Sequence, residues 1–288
     1  MSKLKSAVIL IIFLLIISYL AASIFKIEKG DFGNVALIKI NGVIATESAN
    51  SLFSDQTASS EDIVNEIKKA NEDKDIKAIL FEINSPGGSA VASAEIAEAI
   101  NKVNKTTVAL IREIGTSGAY WAASACDKIV AHPLSVTGSI GVIGSYLEFS
   151  GLLEIYNVSY ERLVSGKYKD FGTPMKELTP EERQIFQSTL DQIHEYFINA
   201  VAKNRGMDPE KVKEVATGRF YIGSEAKELG LIDVLGSRDE ALQLIKQEAN
   251  ITEIKLVKYE KSKGLLSMFA GAFSKSNLGL EQGVKITT

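Results

Sequence analysis

The chain has 288 residues, of which 45% are hydrophobic and 24% charged, so it can form one sizeable core and lacks the composition of a disordered or fibrous protein. Its formal net charge of -4 argues against a general nucleic-acid binder, which would carry a clustered basic surface. The single cysteine, Cys126, excludes an intramolecular disulfide.

The N-terminal segment is predicted to anchor the protein in a membrane. No charged side chain occurs from 7 to 25, and a helix of that length spans about 28 Å, close to the hydrocarbon thickness of a bilayer. Because Lys3 and Lys5 precede this stretch, the positive-inside rule predicts a cytoplasmic stub and an exported remainder. A cleaved signal peptide is the alternative, since Ala21-Ala22-Ser23 offers small residues. We assign residues 1–29 to the stub and anchor.

Strand-like and helix-like segments alternate after the anchor. An apolar strand at 35–40 is followed by the tight-turn dipeptide Asn41-Gly42 and by Val43-Ile44, which predicts an opening hairpin. Because the later strands are apolar almost throughout and helices separate them, they indicate a mainly parallel sheet covered on both faces. The fold class is therefore α/β. These later strands are predicted at 77–83, 107–111 and 128–131.

Helical periodicity accounts for most of the remaining chain. A helix start is predicted at 59–62, a second helix from about 89 to 103, and a third from 179 to 203, which begins with Thr179-Pro180-Glu181-Glu182. The third helix has an apolar stripe that either covers the core alone or also forms an assembly surface. The stripe consists of Phe186, Leu190, Ile193, Phe197 and Val201.

The C-terminal part, 251–288, is interpreted as a tail. It begins with a strand-like run at 254–259 and continues as a stretch rich in Lys, Gly and Ser. An apolar cluster at 265–269 interrupts that stretch and can contact a membrane, a neighbouring subunit or a groove of the main domain.

Ser117 is the candidate nucleophile. It lies between the strand at 107–111 and an apolar helix-like stretch, where unpaired backbone N–H groups and the helix dipole stabilise a developing negative charge. The strand at 77–83 likewise runs into a glycine turn at 84–88. Two such turns can face one carbonyl group.

A serine nucleophile needs a neighbouring base to accept its proton. Of the two histidines, His194 belongs to the long helix and His132 lies at a strand end, so neither supports a Ser-His-Asp triad well. A lysine serves instead where burial or nearby positive charge lowers its pKa from about 10.4. Spacing alone does not choose among Lys128, Lys167, Lys169 and Lys176.

Five segments, in order, resemble the signal peptide peptidases of the SppA type, which are membrane-anchored Ser-Lys proteases with a Clp-protease/crotonase-like fold of repeated β-β-α units. The resemblance covers roughly residues 34 to 250 and implies a protease domain at 30–250. The segments are Asn84-Ser85-Pro86-Gly87-Gly88, Thr116-Ser117-Gly118-Ala119-Tyr120, Thr137-Gly138-Ser139-Ile140-Gly141-Val142, Ser165-Gly166-Lys167-Tyr168-Lys169-Asp170, and Gly218-Arg219 through Gly230-Leu231-Ile232-Asp233.

The resemblance implies a role for particular residues. Ser117 matches the nucleophile, and Lys169, in the Tyr-Lys-Asp element, matches the general base. Ser139 matches a serine that orients the lysine amine. The backbone N–H groups of Gly88 and Gly118 would hold the oxyanion, since glycine permits close backbone approach. No metal or cofactor is implied.

The resemblance also implies a ring-shaped homo-oligomer, such as an octamer, in which neighbouring subunits supply Ser117 and Lys169 to one site. Its substrates would be cleaved signal peptides and other apolar membrane-derived peptides, bound extended along a strand edge. The catalytic domain would lie on the extracytoplasmic side of the cell membrane. Ala119, where many members carry a second glycine, is a small departure that leaves the assignment standing.

Three alternatives remain open. A crotonase-like acyl-CoA enzyme shares the fold and the paired N–H groups but needs no serine nucleophile. A catalytically idle scaffold on the membrane surface needs none either. A membrane protease of the same fold that cuts a stomatin-like partner would differ only in its substrate.

Overall fold

The computed structural model describes residues 33–47 and 57–259, together with 11–14 and 18. Apart from those last five residues, the predicted anchor at 7–25 lies outside the described part of the chain, and the apolar cluster at 265–269 lies entirely outside it. The helices in the described ranges are each too short or too polar to cross a bilayer.

The main sheet is parallel along its whole central path. The described strands are β1 (Val35–Asn41), β2 (Val43–Ala45), β3 (Thr57–Ser59), β4 (Ala78–Ser85), β5 (Thr106–Thr116), β6 (Lys128–Ala131), β7 (Val136–Gly138), β8 (Phe220–Ile222), β9 (Val234–Leu235) and β10 (Leu256–Lys258). The strand order of the main sheet is β10-β1-β4-β5-β6-β9, and β7 extends it by pairing with β5 and, antiparallel, with β8.

Helices cover both faces of this sheet, which confirms the predicted α/β class and explains why the central strands are apolar throughout. Along β1, Ala36 and Ile38 enter the larger core and Val35 and Leu37 the smaller one, which packs against the last helix. The described helices are α1 (Ser60–Glu72), α2 (Ala90–Asn101), α3 (Gly118–Ser124), α4 (Ser150–Ile155), α5 (Pro180–Arg205), α6 (Pro209–Val215), α7 (Gly223–Glu228) and α8 (Arg238–Glu248).

The predicted helix starts are confirmed. The Ser59 side chain accepts a hydrogen bond from the N–H of Asp62 at the start of α1, and Ser89 caps α2. Thr179 and Glu182 form a capping box at α5, with a proline in the first turn. The strand predicted at 254–259 is present as β10 and extends the sheet beyond residue 250.

The predicted opening hairpin is wrong. The strand β1 pairs in parallel with β4 and β10, whereas β2 pairs in parallel with β3 in a separate two-stranded sheet. A two-residue type I′ hairpin needs positive φ at both central residues, and here only Gly42 has it, at 79°. Asn41 remains in the ladder opposite Asn84, so the glycine bends the chain into the second sheet without reversing it.

The length of β5 positions the candidate nucleophile. Its first half pairs with β6, and its second half continues beyond β6 to pair with β7. On the other side, a bulge in β5 brings Gly115 opposite Ser85 of β4. The last residues of β5 therefore lead Ser117 into a gap between the end of β4 and the end of β7.

Residues 142–179, which we call the arm, project from this end of the sheet. The arm contains α4 and packs on α5, where a side chain added at Gly144 would meet Phe186 and Leu190. Large apolar side chains of the arm are exposed, with Ile143 at 86% and Leu163 at 88%. Of the stripe on α5, Phe197 and Val201 are buried, while its N-terminal part, beside the arm, is only partly buried.

Candidate active site

Ser117 lies at the junction between β5 and α3. Its φ of 53° and ψ of -125° are unusual for a residue with a side chain, so the surrounding structure must hold it there. Its backbone N–H donates to the carbonyl oxygen of Gly138, at 2.8 Å. Its hydroxyl makes no capping bond to α3 and the residue is partly exposed, so the hydroxyl is presented outwards from a sharp strand-to-helix turn.

Two backbone N–H groups beside Ser117 have no acceptor among the residues that the structure describes. They belong to Gly88, in the turn after β4, and to Gly118, the first residue of α3. A Cβ atom placed on Gly118 would lie 3.5 Å from the Gly88 nitrogen, so the two groups are neighbours. Paired free donors next to a hydroxyl can stabilise the negative oxygen of a tetrahedral intermediate.

Close contacts require glycine at these positions. A Cβ atom on Gly88 would lie 2.0 Å from the carbonyl oxygen of Ile44, and one on Gly118 would lie 2.0 Å from Ser93 Oγ. One on Gly87, whose φ is 94°, would lie 2.9 Å from the Ser117 Cβ. The structure therefore brings the predicted Ser117, Gly88 and Gly118 together, and the close contacts leave no room for a side chain at the two glycines.

Ser139 lies next to this group, because it follows the Gly138 carbonyl that binds Ser117. It too has positive φ, at 52°. Its N–H donates to the carbonyl oxygen of Arg219 at 2.8 Å, and its hydroxyl donates to that of Gly218 at 3.3 Å. The later element at 218–219, interpreted from the sequence as structural, thus supports Ser139.

Lys169 makes no hydrogen bond with Ser117 within the described chain. It occupies an exposed turn of the arm, its N–H donates to the carbonyl oxygen of Gly166, and its amine has no hydrogen-bond or ion-pair partner in the described ranges. Its neighbours are held on both sides. Lys167 pairs with Glu181 on α5, and the Tyr168 hydroxyl donates to the same carboxylate.

Asp170 holds the other side of this turn in place through charge pairs. Its side chain is only 6% exposed and pairs with Arg162 and with Lys176, which lies 3.4 Å away. Lys176 also donates to Glu182 at the start of α5, at 2.8 Å. The Arg162 guanidinium holds the pKa of Asp170 well below its usual range, and Lys176 lowers the pKa of Glu182. Of the three lysines in this region, Lys169 alone remains unpaired within the described chain.

The other candidate bases lie elsewhere. His132 is exposed after β6, where its Nδ1 accepts from the N–H of Leu134, at 3.2 Å. His194 belongs to α5. Neither forms a hydrogen bond with Ser117 in the part of the chain that the structure describes.

Sequence reasoning missed the hydroxyl groups that hold the site together. Thr116 Oγ1 donates to the carbonyl oxygen of Pro86 at 3.1 Å, and Ser85 Oγ accepts from the N–H of Gly87 at 3.1 Å. Thr137 Oγ1 donates to the carbonyl oxygen of Gly115 at 2.8 Å. The available signal was the presence of hydroxyl residues beside the glycine turns.

A strained serine beside paired free amides is the arrangement that a serine hydrolase needs, and here it lies on a parallel sheet with helices on both faces. The comparisons with known proteins specify this further. The chain matches the models of two families, Clp protease at residues 43–133 and Peptidase family S49 at residues 99–252.

Two relatives extend the match over most of the chain. A candidate signal peptide peptidase SppA of Enterococcus faecium is 36% identical over 257 residues, covering 88% of this chain and 74% of that protein. The chloroplastic serine protease SPPA of Arabidopsis thaliana is 30% identical and covers 89% of this chain, which spans 39% of that protein. This chain therefore belongs to peptidase family S49 and is a serine peptidase.

Among solved structures, the S97A mutant of the 1510-N membrane-bound stomatin-specific protease has a TM-score of 0.51 at 16% sequence identity. The match covers 80% of this chain and 99% of that one. It supports the Clp-protease-like fold.

Proposed function

We propose that this protein is a membrane-anchored endopeptidase that uses a Ser117–Lys169 dyad to degrade remnant signal peptides and other apolar membrane-derived peptides. The observation that carries the proposal is the strained Ser117 beside the unpaired N–H groups of Gly88 and Gly118. Family membership and the Enterococcus faecium relative's name support the reaction type and the substrate class.

The reaction follows from these groups. The neutral Lys169 amine takes the proton of the Ser117 hydroxyl as its oxygen attacks the peptide carbonyl carbon. The carbonyl oxygen becomes negative and accepts from the N–H groups of Gly88 and Gly118. When the C–N bond breaks, the lysine ammonium returns its proton to the leaving amine. Water, deprotonated by the same amine, then releases the acyl group and restores Ser117.

The lysine is supplied by a neighbouring subunit of a ring-shaped homo-oligomer, such as an octamer. Two features support this part of the proposal. In the described chain, Lys169 is exposed on the arm and its amine has no partner, its own Ser117 included. The arm also exposes large apolar side chains that a second copy would cover, including Ile143 and Leu163.

The substrate would bind as an extended strand. Residues 141–148 form neither helix nor strand and begin two residues after Ser139. An unpaired backbone there can bind any peptide through main-chain hydrogen bonds, so selectivity would depend on apolar contacts. With residues 1–29 as an anchor, the site would face the extracytoplasmic side of the membrane.

Hydrolysis of a series of apolar peptides tests the proposal. The full-length protein in detergent should cleave signal-peptide segments, whereas Ser117→Ala and Lys169→Ala should lose at least about a thousandfold in kcat. Lys167→Ala is the matched control, because this neighbouring amine pairs with Glu181, and it should remain active. Retained cleavage by either site variant would contradict the dyad. Cleavage of only a stomatin-type segment would contradict the substrate class and favour the alternative specificity.

A further inference from the structure

The turn at 85–89, which we call the oxyanion loop, has nearly all of its polar groups fixed by named partners. The Ile44 N–H donates to the Gly87 carbonyl oxygen, and the Ile44 carbonyl oxygen accepts from the Ser89 N–H, both at 2.8 Å. The Gly87 N–H donates to Ser85 Oγ. The Gly88 N–H is left over and has no acceptor in the described ranges.

Residues on β5 also hold this loop. The side-chain oxygen of Asn84 accepts from the N–H of Ile114 at 3.2 Å, just before the loop. Within the loop, the Pro86 carbonyl oxygen accepts from Thr116 Oγ1 at 3.1 Å. Thr116 is only 6% exposed, so water does not readily replace this bond. Thr116 thus links the residue before the nucleophile to the peptide that precedes Gly87.

We propose that Thr116 is a positioning residue, which holds the oxyanion loop so that the Gly88 N–H points at the same oxygen as the Gly118 N–H. This inference rests on the proposed function, in which Ser117 is the nucleophile. Thr116 acts through the loop and does not contact the substrate. Donors must lie about 2.7 to 3.1 Å from the developing oxyanion, so a small rotation of the loop weakens transition-state binding without changing the substrate's other contacts.

Replacing Thr116 by valine keeps the shape and removes the donor. In the full-length protein, Thr116→Val should lower kcat by about tenfold with KM nearly unchanged, and should weaken a peptide aldehyde inhibitor by a similar factor. Thr116→Ser keeps the hydroxyl and should restore most of the rate. Ser85→Ala, which removes the acceptor for the Gly87 N–H, should reproduce the loss in kcat.

Thr107→Val is the matched control. Thr107 is a buried threonine at the other end of β5, and its hydroxyl donates to Asp127 at 2.8 Å. This variant should be less stable but turn over at the wild-type rate. If Thr116→Val and Ser85→Ala keep the wild-type kcat, or change only KM, the inference is overturned. If Ser117→Ala still cleaves peptides, the proposed function fails instead, so the two failures are distinguishable.

Discussion

At the scale of single residues, the site depends on atoms that have no room to move. Gly118 is the sharpest case, because a methyl group there would collide with Ser93 Oγ and would lie 2.9 Å from Ser93 Cβ. Ser93 is fully buried, and its hydroxyl donates to the Ser89 carbonyl oxygen at 2.8 Å. A Ser93 side chain displaced by this collision would therefore disturb the oxyanion loop, to which Ser89 belongs.

Gly118→Ala should lower kcat about tenfold to a hundredfold, because one of the two amide donors is displaced. Steady-state kinetics on an apolar peptide measure this. Combining it with Ser93→Gly should recover part of the rate by removing the colliding atoms. Gly151→Ala is the control, since a Cβ atom there meets nothing within 4 Å. Equal rates for Gly118→Ala and Gly151→Ala would show that the Gly118 amide has no part in catalysis.

Local sequence patterns predicted part of this site well. Ser117, Gly88 and Gly118 stand in strand-to-helix turns, whose geometry follows from short stretches of sequence, and the structure brings all three together. The roles of Ser85 and Thr116 could not be predicted, because they depend on the bulge that sets β4 against β5. The spacing of the lysines could not select Lys169. Which lysine is left unpaired depends on the carboxylates that the fold brings near the arm, including those of α5.

At the scale of elements, the arm holds the Lys169 turn through charge pairs. Asp170→Asn removes the carboxylate that Arg162 and Lys176 share, so the turn should loosen and kcat should fall several-fold. Hydrogen exchange at 162–176 should rise in the variant. Glu161→Gln changes an exposed carboxylate of the same arm and should leave both measurements unchanged. Unchanged exchange in Asp170→Asn would contradict this role of the pairs.

The same pairs predict how stability responds to pH. The pKa of Asp170 is lowered in the folded protein, so its contribution is fully present above its ordinary pKa of about 4 and is lost as pH falls through the lowered value. The difference in unfolding free energy between wild type and Asp170→Asn should therefore stay constant from about pH 5 to pH 8. It should shrink only in stronger acid. Denaturant titrations at several pH values check this, and a difference that grows in acid would contradict it.

At the scale of the whole molecule, the α/β class was predictable because apolar strands separated by helices leave few other arrangements. The opening hairpin was not, since the Asn41-Gly42 signal is local and the ladder between β1 and β4 overrides it. The arm shows the same limit. Its exposed apolar side chains have no partner within the described chain, so their role depends on contacts outside it.

Mixing two inactive variants tests whether the site is shared between subunits. Ser117→Ala and Lys169→Ala chains, unfolded and refolded together, should regain roughly a quarter of the wild-type activity, because each intact site needs one residue from each of two neighbours. Each variant refolded alone should stay inactive. Persistent inactivity of the mixture would place both residues of the dyad on one chain.

The central claim is that Ser117 is the nucleophile and that Lys169 activates it. It is tested most directly by treating the full-length protein with a serine-directed fluorophosphonate and locating the adduct by mass spectrometry. The account predicts one adduct, on Ser117, formed at the wild-type rate in Lys167→Ala and far more slowly in Lys169→Ala. An adduct on another residue, no adduct at all, or labelling of Ser117 that is indifferent to Lys169 would contradict it.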